Sequence, residues 1–112
     1  MDNTSGYKVV LVFDLEDRMA DEELRRSKEP DSFPNILARQ PGFEGMELVK
    51  ISDSRTMSVQ SWTSPEAWWA ALEQTKAEAN TADRTSRPDI VVSREFYAGT
   101  IEALKEGGPS GD

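Results

Sequence analysis

The stretch from residue 41 to 69, PGFEGMELVKISDSRTMSVQSWTSPEAWW, restricts the fold of this chain more than any other. Residues 46–51 read as a strand, Asp53-Ser54-Arg55 as a polar connection of hairpin length, and residues 56–62 as the next strand. Two strands this close in sequence pair antiparallel. Pro41-Gly42 marks a turn ahead of them. Behind them a helix starts, either as a capping box of Thr63 with Glu66 or with Ser64 as cap and Pro65 in the first helical position. It is expected to run to about Ala79, with Trp68, Ala71, Leu72, Thr75 and Ala79 on one face and Trp69 on its flank. All three tryptophans of the chain lie in this stretch.

The flanking segments complete a pattern. Residues 7–15 (YKVVLVFDL) are apolar and β-branched with little alternation, as in a strand covered on both faces. Residues 20–26 (ADEELRR) are helical by propensity, with acids early and arginines late. Pro30 and Pro34 then break the helix, and Pro34 opens a second short piece through Ile36, Leu37 and Ala38. Residues 80–86 read as a polar loop, and residues 89–97 after Pro88 as the last strand. The order is strand, helix, strand, strand, helix, strand. That order is the split βαβ pattern of an α+β, ferredoxin-like sandwich with an antiparallel sheet. We expect one domain over residues 7–104, a disordered N-terminus over 1–6 and a flexible tail over 105–112. Helices cover one face of such a sheet. Because the first strand is apolar on both sides, a second copy is expected to cover the other, making a homodimer.

Charge and composition narrow the chemistry. The net charge of −8, without a basic cluster, speaks against nucleic acid and anionic membranes as partners. No apolar run approaches a membrane span, and the polar start MDNTSGYK has no signal core, so a cytoplasmic protein is expected. Cysteine and histidine are both absent. This rules out disulfides, thiolate or imidazole metal ligands, and triads built on either residue. No metal and no cofactor are expected.

Strand geometry puts Ser58, Gln60 and Trp62 on one face. Buried serine and glutamine need partners, and a ligand pocket supplies a reason for them; wet or backbone-bonded side chains are the plain alternative. Trp68 and Trp69 offer an aromatic wall for a flat ligand, against a reading as core and surface contacts. In the broken helix, Phe33 and Asn35 suit a lid, although Asn more often serves a turn. Tyr97 ends the last strand as a hydrogen-bond donor or an interface residue. Arg84, Arg87 and Arg94 are the cations near that strand. The acids Asp21, Glu22 and Glu23 read as a solvated helix start, because adjacent residues diverge around a helix.

The pattern P-G-F-x-G-x-x-L, here Pro41, Gly42, Phe43, Gly45 and Leu48, is followed by W-x-S-x-E-A, here Trp62, Ser64, Glu66 and Ala67. Together they resemble the antibiotic biosynthesis monooxygenase domain family. The resemblance implies a dimeric α+β barrel, two ferredoxin-like protomers with their sheets face to face and a pocket between sheet and helices. It implies a small cofactor-independent monooxygenase acting on an aromatic polyketide-type intermediate of secondary metabolism. Trp62, Gln60 and Ser58 would be catalytic, and Trp68, Asn35, Phe33, Trp69 and Tyr97 would bind substrate. Trp62 matches the family's strand tryptophan; Ser58 stands at its asparagine position and Trp68 at its helix tyrosine position. The haem-degrading branch uses a helix histidine, which this chain lacks. Two other functions fit the same pocket: a cyclase or isomerase working without oxygen, and a non-catalytic small-molecule-binding protein.

Overall fold

The apolar run YKVVLVFDL forms β1 (Tyr7–Leu15), and it lies between two neighbouring strands at the centre of the sheet. The computed structural model describes residues 6–81, 90–103 and 105. Around β1 stand α1 (Ala20–Ser27), α2 (Phe33–Ala38), β2 (Phe43–Ser52), β3 (Arg55–Trp62), α3 (Pro65–Thr81) and β4 (Val91–Thr100). The four strands are antiparallel to their neighbours in the order β2-β3-β1-β4. Thus β3 separates β1 from β2, and β1 separates β3 from β4, which is the ferredoxin-like α+β arrangement expected. Residues 1–5, 82–89 (with Arg84 and Arg87), 104 and 106–112 lie outside the described residues.

Several edges differ from the sequence reading: most shift by a residue, α3 runs on to Thr81 where a loop from residue 80 was expected, and β2 and β4 shift furthest. β2 begins at Phe43, not Met46, because Phe43 pairs with Trp62 across a bulge and sets its ring edge-on to the indole at 5.3 Å. β4 continues past Tyr97 through Ala98 and Gly99, which pair with Val9 and Lys8. Ala and Gly carry little strand preference of their own, so the register with β1 decides there. The cap of α3 is also settled. Ser64 Oγ accepts from the Ala67 amide at 3.1 Å with Pro65 in the first helical position, while the Thr63 amide donates to Gly42 O at 2.9 Å.

Alternation along β1 sends Val9, Leu11 and Phe13 to one face, beside Gln60, Ser58 and Thr56 of β3. The helices pack on this face. Its core gathers Val9, Leu37, Trp62, Trp68 and Ala71, with Phe33, Phe43 and Met46 partly buried against them. The opposite face carries Val10 and Val12 beside Val59 and Met57, with Tyr97 and Glu95 from β4. Among the described residues no helix covers it. Polar ties flank its apolar centre: Arg55 Nε meets Asp14 Oδ1 at 2.9 Å at one end, and Lys8 Nζ donates to Ser61 Oγ at 2.6 Å at the other. No helix among the described residues is long and apolar enough to cross a membrane.

Candidate active site

Between the helix face of the sheet and the pair α1–α2 lies a cavity of about 40 Å³. Ser58 and Gln60 of β3 form its floor, Leu24 of α1 and Phe33 of α2 its roof, and Met46 of β2 closes one side. A wider groove of about 770 Å³ runs over α2 and α3 past Gln40, Gln74 and Glu78. It is shallow, and both glutamine amides are already bonded to the Glu78 carboxylate, at 3.5 and 3.0 Å. The smaller cavity has the buried polar floor that a binding site needs, so the chemistry points there.

The floor is a hydrogen-bonded row. Trp62 Nε1 donates to Gln60 Oε1 at 3.0 Å, and Gln60 Nε2 donates to Ser58 Oγ at 3.4 Å. An indole N–H can only donate, so it fixes which end of the amide is oxygen. The Gln60 NH₂ is thereby held at the cavity, although the residue is only 1% exposed. The period-two pattern of β3, which places these residues on one face in the sequence, is what aligns them.

The other expected site residues divide. Phe33 lines the cavity. Trp62 is fully buried behind the floor and acts on the cavity through Gln60. Trp68 is 1% exposed and set edge-on to Trp62 at 5.7 Å, a core position outside the cavity whose Nε1 has no hydrogen-bond partner among the described residues. Trp69 turns outward and is 51% exposed, near Phe96 at 6.5 Å, because it sits one residue past the buried stripe of α3. Asn35 serves its turn, with Nδ2 donating to Glu29 O at 2.6 Å. Tyr97 lies across the sheet from the cavity, 58% exposed, and donates to Glu95 Oε1 at 2.9 Å. That carboxylate raises the phenol's pKa. Trp68, Trp69, Asn35 and Tyr97 therefore do not share the cavity with Ser58, Gln60 and Phe33. Arg94 is exposed on β4.

The reading of Asp21, Glu22 and Glu23 as a uniformly solvated group needs correction. Asp21 is exposed and reaches Lys50 at 3.1 Å, and Glu22 pairs with Arg25 and Arg26, each at 2.7 Å. Glu23 is 2% exposed and lines the cavity. Thr56 Oγ1 donates to its Oε1 at 3.1 Å. The signal is present in the spacing: Ala20, Glu23, Leu24 and Ser27 form the i, i+3, i+4, i+7 stripe of α1 that faces the sheet.

No protein-family model matches the chain, and no curated protein matches its sequence. Solved structures do match its shape. SnoaB, a cofactor-independent oxygenase from Streptomyces nogalater, superposes with a TM-score of 0.65 at 19% identity, covering 95% of this chain and 99% of that one. A monooxygenase from the gene ActVA-Orf6 of Streptomyces coelicolor, in complex with nanaomycin D, reaches 0.71 at 14% identity over 96% of both chains. The fold is that of the antibiotic biosynthesis monooxygenases. A protein of unknown function from Nitrosomonas europaea, NE2512, is also similar, with a TM-score of 0.62 at 14% identity over 98% of this chain and all of that one. The shared scaffold thus spans nearly the whole chain, while activity has to be argued from the cavity.

Proposed function

We propose that the protein is a cofactor-independent oxygenase of an aromatic, polyketide-type intermediate, working as a cytoplasmic homodimer. The row Trp62–Gln60–Ser58 carries this reading. It supplies fixed hydrogen-bond donors on a buried floor, where charge developing on a substrate oxygen is stabilised without reorganisation. A phenolic ring ketone with an acidic CH₂ group suits such a site. Loss of one proton leaves a carbanion whose charge spreads onto the ring oxygen facing Gln60. The carbanion reduces dioxygen itself and binds it; the resulting peroxide loses water, so that CH₂ and O₂ become C=O and H₂O.

The cavity has room for only about three waters. A ring ligand is therefore admitted by displacing the Phe33 and Leu24 side chains of its roof, a rotamer change of a common kind on binding. Pairing of the open sheet faces of two copies would bury Val10, Met57 and Val59, and the resemblance of the sequence motifs to a family of dimeric α+β barrels supports that assembly.

Oxygen uptake with dithranol, a dihydroxyanthrone, tests the activity. The wild type is expected to consume one equivalent of oxygen per quinone formed, and Gln60→Leu to be slowed about 10²-fold, as for loss of an oxyanion donor. Conversion without oxygen uptake would instead indicate a cyclase or isomerase. Saturable tryptophan quenching by dithranol without turnover would indicate a binding protein.

A further inference from the structure

We propose that Glu23 is the proton acceptor of this cavity. Among the described residues that line it, Glu23 is the one with an ionisable side chain. A carboxylate under a sheet is costly to bury unless it is held by donors, and two buried hydroxyls are among those that hold this one. Thr56 Oγ1 donates to Oε1 at 3.1 Å, and Ser27 Oγ lies 3.2 Å from Oε2, sharing its proton with the Glu23 carbonyl oxygen at 2.9 Å. Both hydroxyls are themselves buried. The carboxylate is thus fixed from two elements, α1 and β3, rather than free to swing.

Position makes this arrangement chemical as well as structural. Thr56, Ser58 and Gln60 follow one another on the same face of β3, about 6.7 Å apart at each step. The acceptor at Thr56 and the donors at Ser58 and Gln60 therefore occupy opposite ends of one floor. A flat substrate laid along β3 presents an acidic C–H or O–H to Glu23 while its conjugated oxygen meets Gln60. The step moves one proton from substrate to Glu23 Oε; the electron pair stays on the substrate and delocalises towards the donor end. Glu23, now a carboxylic acid, returns that proton to the peroxide oxygen after dioxygen has added. No side chain other than Glu23 gains or loses charge.

This assignment rests on the cavity being the substrate site, but it does not rest on oxygen chemistry. Exchange of the dithranol CH₂ protons in deuterated buffer under argon, followed by NMR, isolates the proton step. The wild type is expected to accelerate exchange over buffer, Glu23→Gln to lose about 10²-fold or more of that acceleration, and Glu23→Asp to retain an intermediate rate. Tryptophan quenching by dithranol is expected to persist in both variants. No acceleration by the wild type, or wild-type exchange in Glu23→Gln, overturns the proposal. So does loss of quenching and exchange together in both variants, which assigns Glu23 to structure. Exchange without oxygen uptake by the wild type keeps Glu23 as base and removes the oxygenase reading; uptake and exchange that Glu23→Gln leaves unchanged do the reverse.

Discussion

Trp62 and Gln60 hold each other two residues apart on one strand, the indole N–H donating to the amide oxygen at 3.0 Å. The tryptophan thereby sets the direction of a group it does not replace. Trp62→Phe keeps an aromatic ring in the core but frees the amide to turn. We expect kcat for dithranol oxidation to fall about 10-fold to 100-fold with KM changed little, since the donor is lost mainly when charge develops. The lost bond and volume should cost about 1–3 kcal/mol of stability. Oxygen-uptake kinetics and urea unfolding measure the two effects separately.

Gly42 meets Ala67 where the turn before β2 docks on α3. Its φ is 91°, and a Cβ placed on it would stand 2.5 Å from Ala67 Cβ and 2.9 Å from Thr63 Oγ1. Backbone strain and overlap act together, so Gly42→Ala is expected to lose about 2–4 kcal/mol. A urea midpoint equal to that of the wild type would show that the turn can shift at no cost.

Acid should loosen α1 through Glu22. Hydrogen bonds from Arg25 and then Arg26 pull its carboxyl from 4.5 down to about 2. A lowered folded-state value favours the folded form above the unfolded value. The contribution is therefore complete above pH 4.5 and disappears as pH falls towards 2. The pair is solvent-exposed and screened by salt. The difference in urea midpoint between wild type and Glu22→Gln should shrink across this window and with added salt; a difference independent of pH would contradict the assignment.

Val59 lies opposite Val10 at the centre of the open sheet face. A carboxylate there would be buried against its own copy in a face-to-face pair. Val59→Glu is expected to convert a dimer to a monomer with little change in secondary structure, as read by light scattering and circular dichroism. A wild-type monomer at micromolar concentration would remove the paired-sheet assembly.

Much of the fold is legible in the residue pattern. The unbroken apolar run of β1 marks a central strand, and the hairpin spacing with Pro-Gly ahead of it sets β2 beside β3. The alternation Ser58, Gln60, Trp62 places a polar row on one face because strand side chains repeat every second residue. Glu23 is obscured by its neighbours: in a run of three acids, solvent exposure is the usual outcome, and only the stripe shared with Ala20, Leu24 and Ser27 distinguishes it. Trp68 and Trp69 look equivalent as adjacent aromatics, yet a step of one residue around α3 separates a buried ring from an exposed one.

By itself, then, the sequence determined the succession of strands and helices along the chain, the turn at Pro41-Gly42, and the face to which each β3 side chain belongs, because these depend on local periodicity and turn chemistry. Only the tertiary structure decided which groups meet in the cavity. Thr56 and Glu23 are 33 residues apart and touch because α1 folds back across β3. Tyr97 and Gln60 belong to strands on either side of β1 and are kept apart by the sheet itself. Such meetings follow from the register and tilt of whole elements, which no short run of residues encodes.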